Sequence, residues 1–136
     1  MVALITRVRD LVQDPAGVSA RFSDEKIQEE LDRYRWNVRY QELTPIETRQ
    51  PGGVIIYKEF HHKLGDWEED VELVGPQYDM LTPSSENFLT GEWLFAGDTA
   101  YPVYITGKTY DVYAAAAKLL REWASANKLK FSGSGF

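Results

Sequence analysis

One stretch of the chain decides the fold: Thr109-Tyr-Asp-Val-Tyr-Ala-Ala-Ala-Ala-Lys-Leu-Leu-Arg-Glu-Trp-Ala124. Alanine and leucine have high helix propensity, so the stretch predicts a long helix that does not depend on packing alone. Thr109 is the predicted cap, and Asp111 places a carboxylate in the first turn, where it suits the helix dipole. Five residues at helical spacing form the predicted buried face: Tyr113, Ala117, Leu120, Trp123 and Ala124.

The four alanines of this helix remove side-chain bulk, so that another backbone can come close. Apolar helix stripes usually face the core of their own domain. The alternative is that part of the stripe packs against a second copy of the chain. Under this alternative the predicted subunit interface comprises Ala114, Ala115, Ala116 and Ala117.

Length and composition predict one soluble domain made in the cytoplasm. The 136 residues are 43% hydrophobic, which is enough to bury a core. A net charge of −6 argues against a protein whose main task is binding nucleic acid phosphates. Because the chain has no cysteine, we expect no disulfide and no thiolate chemistry. The charged N-terminus does not read as a signal peptide, and no stretch has transmembrane length.

Two short helices are predicted before residue 37. The first ends at residues 14–17, and the second begins at Ser23, a good cap followed by two acidic residues. The first stripe is Ile5, Val8, Leu11 and Val12, and the second is Ile27, Leu31 and Tyr34, with Val38 as an extension.

The middle of the chain, about 40–106, predicts antiparallel strands. Residues 54–60 and 67–73 alternate around a turn at Leu64-Gly65-Asp66, which is typical of a β-hairpin. Residues 92–96 and 102–106 are two further predicted strands. The predicted class is therefore α+β. A small helical bundle of two short N-terminal helices and one long C-terminal helix carries an inserted antiparallel β-rich region. The whole forms a single domain, 1–136, with an extended tail at 128–136.

No catalytic constellation is evident among the residues. His61 and His62 are adjacent, so on a strand they point to opposite faces and do not easily serve one metal. A mixed site with the acidic residues of 66–70 stays open, although no metal-type spacing such as His-x-x-x-His is present. Residues 84–85 have no nucleophile-elbow sequence around their serines. We predict no catalytic residue, no cofactor and no metal site.

Two segments carry a resemblance to a known family. Arg7-Val-Arg-Asp-Leu-Val12, followed by Phe22-Ser-Asp-Glu-Lys-Ile-Gln-Glu-Glu-Leu-Asp32, resembles the start of tailed-bacteriophage head–tail connector (adaptor) proteins. In that family a short helix precedes a Phe-Ser-Asp-Glu-like cap and a second helix. The segment from Ile105 to Ala124 is similar to the Tyr-Asp-x-Tyr-Ala-Ala-Ala helix of many phage neck-region structural proteins. The β-rich middle departs from the family, because its simplest members have only a loop there.

The resemblance implies a non-enzymatic structural protein of the virion neck. It implies a homo-oligomeric ring, a dodecamer, that lies under the portal, extends the DNA channel and offers a docking site to a tail or stopper protein. DNA would pass without specific binding, and no membrane is involved. C-terminal segments of the family commonly reach the portal, so the predicted portal-docking residues are Lys128, Leu129, Lys130, Phe131 and Phe136.

A line of carboxylates is predicted on one strand face: Glu68, Asp70 and Glu72. Aligned like charges reduce stability unless they are solvated or meet a basic partner. A solvated face is the ordinary explanation. The functional alternatives are a contact with basic groups of a neighbouring subunit or tail protein, or a channel lining that repels DNA phosphate.

Two other classes of function stay open. One is a metal-dependent enzyme that uses His61 or His62 with the acidic hairpin. The other is a small β-rich module that binds carbohydrate or peptide through Trp67, Trp93 and the tyrosines. Bound metal would favour the enzyme, and a monomer with a compact pocket would favour the binding module. A large ring would favour the connector.

Overall fold

A computed structural model of the chain describes residues 1–14, 17 and 20–133, without the side chains of 127–133. Within these described residues it contains three helices and two antiparallel sheets of four strands each, which confirms the α+β class. The chain forms two compact units, a helical unit (Met1–Arg35 and Asp111–Phe136) and a β-rich unit (Trp36–Tyr110). Among the described residues, no helix is both long and apolar enough to cross a membrane.

The helical unit contains α1 (Val2–Val12), α2 (Asp24–Arg33) and α3 (Val112–Gly133), and each helix contacts the other two. The predicted cap of α2 is confirmed, because the Ser23 side chain accepts a hydrogen bond from Lys26 N at 3.1 Å. The predicted stripes are mostly confirmed as well. Leu11 is exposed, whereas the other stripe residues within α1 and α2 are buried: Ile5, Val8, Val12, Ile27 and Leu31.

The start of α3 differs from the prediction. Thr109 does not cap this helix, because strand β8 (Tyr104–Tyr110) continues through it and buries its side chain. The Thr109 hydroxyl instead donates to the carbonyl of Gly65. Asp111 is the cap, since its carboxylate accepts a hydrogen bond from Ala114 N at 3.0 Å.

The buried face of α3 also differs from the prediction. The buried residues near its start are Val112, Ala115, Ala116 and Leu119. The predicted face, with Tyr113 and Ala117, is exposed. The observed and the predicted buried faces both fit helical spacing. They differ by a shift of one residue along the sequence, which rotates the face by about 100° around the helix axis.

The end of α3 corrects a third prediction. Residues 128–133 are helical, because α3 continues to Gly133, so this part of the predicted extended tail was wrong. Helix propagation adds one hydrogen bond for each residue, which outweighs a short alternating pattern. Residues 134–136 lie outside the described part of the chain.

The β-rich unit contains two sheets, with strand orders β1-β8-β4-β5 and β2-β3-β7-β6. The strands are β1 (Arg35–Glu42), β2 (Thr44–Arg49), β3 (Ile55–His61), β4 (Glu72–Val74), β5 (Met80–Leu81), β6 (Ser85–Asn87), β7 (Glu92–Leu94) and β8 (Tyr104–Tyr110). The predicted hairpin of residues 54–60 with 67–73 was wrong. β3 pairs with β2 and β7, whereas β4 pairs with β5 and β8.

Aromatic rings dominate the core of the β-rich unit. The Trp67 and Trp93 rings lie 5.8 Å apart, and those of Phe60 and Phe95 lie 5.7 Å apart, in both cases edge to face. Trp67 and Trp93 are buried, so neither can contact a ligand at the surface. The remaining core residues are Leu43, Leu73, Val103 and Ile105.

Candidate functional site: the outer face of the C-terminal helix

The outer α3 face is an apolar stripe that the helical unit leaves exposed. It consists of Tyr113, Ala117, Leu120 and Ala124. At 3.6 residues per turn these four side chains fall within an arc of about 60°, next to a buried arc of about 100°. Tyr113 is 62% exposed and Leu120 is 38% exposed, so the chain leaves part of this stripe uncovered. The apolar surface of α3 is therefore wider than its own unit covers.

One end of the stripe is held by α1. The Arg7 guanidinium lies 5.3 Å from the centroid of the Tyr113 ring, and its Nη2 donates to the Tyr113 hydroxyl at 3.1 Å. A cation over an aromatic ring is attracted by the ring quadrupole. This contact fixes the orientation of the Tyr113 ring while leaving most of it exposed.

The other end is flanked by Trp123, which is 40% exposed. The Arg21 guanidinium lies 4.8 Å from the centroid of this indole ring. Arg21 itself is fixed, because its Nη2 donates to the last carbonyls near the end of α1, at Val12 (2.6 Å) and Gln13 (3.2 Å). Two half-exposed aromatic rings in fixed orientations thus mark the two ends of an apolar helix face.

Asp14 contacts Arg21 and connects the end of α1 to residues 21 and 22. Its buried carboxylate accepts hydrogen bonds from Arg21 N (2.7 Å), Phe22 N (3.0 Å) and Arg9 Nη1 (3.1 Å). Burial alone would raise the pKa of Asp14, but the two backbone N–H groups and the guanidinium groups of Arg21 and Arg9 outweigh it and lower the pKa below its usual value. Sequence reasoning missed this residue, which it treated only as part of a helix end.

The four predicted interface alanines fall on different sides of α3. Ala115 and Ala116 are buried in the helical unit, so they do not face a neighbouring subunit. Ala117 is exposed on the outer α3 face, and Ala114 is half-buried.

The predicted acidic line is not formed. A turn at residues 69–70 interrupts the expected strand. Trp67 lies opposite Thr109 and Glu72 lies opposite Thr106, so the four residues 68–71 stand against only the two residues 107–108 of β8. Asp70 is exposed and forms an ion pair with Lys108 at 3.1 Å. Glu68 is half-buried, whereas Glu72 lies exposed in an open groove that Asp70 also lines.

The two histidines lie in different environments. His62 is buried against Trp67, its Nδ1 accepts a hydrogen bond from Leu64 N at 3.0 Å, and its Nε2 lies 2.6 Å from Gln41 Oε1. Burial lowers the pKa of His62, and the neighbouring Lys63 lowers it further. These contacts describe a neutral imidazole whose Nε2–H donates to Gln41.

His61 does not meet His62 or the acidic run 66–70. Its Nε2 lies 3.0 Å from Glu59 Oε1, and its strand partner on β7 is Glu92. The described neighbours of His61 are therefore residues of β3 and β7.

A second exposed surface, the tyrosine cluster, lies on the β-rich unit. It consists of Tyr40, Tyr78 and Tyr104, with Tyr40 edge-on to Tyr78 at 6.0 Å and Tyr78 stacked on Tyr104 at 5.7 Å. Tyr40 and Tyr78 both have positive φ, at 47° and 59°, which is uncommon for residues other than glycine. Their separation in sequence explains why the linear pattern did not predict the cluster.

The predicted portal-docking residues are not described at the side-chain level. The side chains of Lys128, Leu129, Lys130 and Phe131 lie outside the described part, as does the whole of Phe136.

The outer α3 face and the tyrosine cluster are thus two places where the described residues leave aromatic rings exposed. Compared with known proteins, the chain matches no family model, no curated protein and no solved structure.

Proposed function

We propose that this protein is a structural subunit of a bacteriophage neck. Copies of the chain assemble into a ring, a dodecamer, between the portal and the tail, where the ring extends the DNA channel and joins head to tail. The protein is not an enzyme in this proposal. Its partners are further copies of itself, the portal protein and a tail or stopper protein.

The observation that carries the proposal is the outer α3 face. A helix that is apolar over about 200° of its circumference needs more than one neighbour, because a single packed face covers roughly half of that arc. Tyr113 and Trp123 are the kind of half-exposed aromatic residue that anchors protein interfaces. A second copy of the chain is the neighbour that every subunit of a ring has available.

The placement of the family-like segments gives further support. The segments that resemble head–tail connectors, residues 7–12, 22–32 and most of 105–124, contribute the second half of α1, nearly all of α2 and the first half of α3. The departure from the family falls in the β-rich unit, Trp36–Tyr110. A helical unit with a separate β-rich insert fits a family whose simplest members are helical.

The net charge of −6 suits a channel through which DNA moves without sticking. The acidic residues 68, 70 and 72 do not lie in one line on a strand, so we do not propose that they form a single channel face. Glu72 and Asp70 keep an exposed position from which they can face a basic partner.

Electron microscopy of the purified full-length chain over a range of concentrations tests the proposal. We expect rings with an open centre and twelve subunits. A closed dimer without a central channel would contradict it, and so would a chain that stays monomeric both alone and with a portal protein.

Portal docking by the C-terminal segment is tested with two truncations of the same chain. Removal of 129–136 shortens α3 by its last turn and is expected to abolish attachment to portal rings. Removal of 134–136 alone leaves the described helix intact and isolates the contribution of Phe136. Normal attachment of both truncated proteins in a co-sedimentation assay would refute docking by this segment.

The tyrosine cluster favours a second candidate function, a β-rich module that binds carbohydrate or peptide. Three adjoining aromatic rings and two uncommon backbone conformations support it. A monomer that binds an oligosaccharide or peptide array, with binding lost in Tyr78→Ala, would replace the ring proposal.

A further inference from the structure

A cluster of three metal-ligating side chains lies on one face of the sheet β2-β3-β7-β6. Glu59 and His61 are two residues apart on β3, so they share a face, and Glu92 on β7 is the direct partner of His61. One potential ligand atom from each of the three side chains lies within 4.8 Å of the other two.

The opposite face of the same strands is core. Phe60 lies between Glu59 and His61 and pairs with Trp93, and both of these aromatic side chains are fully buried. The cluster therefore stands on two hydrogen-bonded strands that the core holds in place. Ligand positions on such strands are more rigid than positions on loops.

The two carboxylates of the cluster, Glu59 and Glu92, have no lysine or arginine as an ion-pair partner among the described residues. Within that part of the chain, His61 is the only basic group that contacts Glu59. Two carboxylates on neighbouring strands repel each other unless positive charge lies between them. A divalent cation would supply that charge.

We propose that Glu59, His61 and Glu92 bind one divalent transition-metal ion of the Zn²⁺ class. One imidazole nitrogen and two carboxylate oxygens form a mixed donor set that suits zinc, whereas Mg²⁺ and Ca²⁺ prefer oxygen alone. Three protein ligands leave a further coordination position open. The site connects β3 to β7 and does not depend on the proposed ring.

The observed distances suit such a site. Metal–ligand bonds of about 2.0–2.1 Å separate neighbouring ligand atoms by about 2.9–3.4 Å in octahedral or tetrahedral geometry. Glu59 Oε1 and His61 Nε2 are 3.0 Å apart, within that range. The other separations within the cluster are at most 4.8 Å, so any that exceeds this range would have to shorten when a metal ion binds.

Isothermal titration of the tag-free chain with ZnCl₂ tests the site. The chain has only two histidines and no cysteine, so an imidazole ligand must come from His61 or the buried His62. We expect one zinc ion per chain in the wild type. His61→Gln and Glu92→Gln should each weaken binding at least about tenfold, by removal of a ligand. MgCl₂ in place of ZnCl₂ should give much weaker binding.

Glu86→Gln is the matched control. Glu86 lies on β6 opposite Trp93, so it faces away from the cluster, and its loss should leave zinc binding unchanged. The proposal is overturned if the wild type binds no zinc, or if His61→Gln and Glu92→Gln bind it as the wild type does. Circular dichroism of each variant verifies the fold, and the isosteric Glu92→Gln gives a second answer should His61→Gln be unfolded.

Discussion

In the helical unit a buried carboxylate, Asp14, connects the end of α1 to residues 21 and 22, whereas the β-rich unit has a core of edge-to-face aromatic rings. The first arrangement depends on charge and on directed hydrogen bonds. The second depends mainly on apolar area removed from water. The comparison teaches that substitutions of similar size should act differently in the two units, and that pH should act on each through a different residue.

The largest effect is expected from the aromatic core. Trp93→Ala removes a fully buried indole and should reduce the free energy of unfolding by about 3–5 kcal/mol. Urea denaturation measures the loss. Trp36→Ala is the control, because that side chain is 59% exposed and its removal should cost less than about 1 kcal/mol. Equal losses for both variants would contradict the assignment of the core.

The next effect concerns the charged network of the helical unit. Asp14→Ala leaves the buried Arg9 without one of its partners and removes the acceptor for two backbone N–H groups, so we expect a loss of about 3 kcal/mol. Asp24→Ala is the matched control, since Asp24 also pairs with Arg9, at 2.6 Å, but has a side chain that is 67% exposed. Its loss should be below about 1 kcal/mol.

Asp14 also sets the response of the helical unit to acid. Because its pKa is lower in the folded chain, its contribution is complete above the unfolded value of about 3.9 and is lost as the pH falls through the folded value. Thermal unfolding followed below about pH 5 should therefore show a steeper loss of stability in the wild type than in Asp14→Asn. The same slope in both proteins would assign the acid response to other carboxylates.

A moderate effect separates the two sides of α3. Ala115→Leu overfills the helical unit and should cost about 1–3 kcal/mol. Ala117→Leu adds the same bulk to the exposed outer α3 face and should change the monomer by less than about 0.5 kcal/mol. Denaturant unfolding at low protein concentration compares the two variants. A larger loss of stability in Ala117→Leu than in Ala115→Leu would contradict the assignment of the buried face of α3.

The smallest effect belongs to His62 in the β-rich unit. Its pKa is lowered by burial, so its stabilising contribution is complete above the unfolded value of about 6.5 and is lost as the pH falls below it. Protonation of Nδ1 removes the hydrogen bond from Leu64 N, which is worth about 0.5–1.5 kcal/mol. Unfolding measured from about pH 7.5 to about pH 5.5 should show this decrease in the wild type and a smaller one in His62→Gln.

The helical unit was largely predictable because its signals are local. Ser23 caps α2 through a residue three positions away, and Ile27 and Leu31 are one turn apart. The error at α3 has the same local origin. Val112 and Tyr113 begin two apolar stripes of similar quality, and only the contacts of the folded unit decide between them.

The β-rich unit was predictable only in part: the predicted strands overlap β3, β4, β7 and β8, whereas β1, β2, β5 and β6 and the pairing of the strands were not predicted. Residues 67–73 follow residues 54–60 closely in sequence, yet β4 pairs with β8, about 30 residues further on. Alternation identifies the buried face of a strand, but it does not identify the neighbouring strand. The Glu59–His61–Glu92 cluster was missed for this reason, since Glu92 joins it only through the pairing of β3 with β7.

The central claim is that the outer α3 face joins one subunit to the next. Sedimentation velocity of the wild type, Leu120→Glu and Ser125→Glu over a range of concentrations tests it most directly. Leu120 lies on the outer α3 face, whereas Ser125 is exposed on the polar side of the same helix, so both variants introduce one carboxylate into α3. We expect the wild type and Ser125→Glu to form large assemblies, and Leu120→Glu to remain a monomer of 15.6 kDa with an unchanged fold. A Leu120→Glu protein that assembles as the wild type does, or a wild type that stays monomeric both alone and with a portal protein, would contradict the claim.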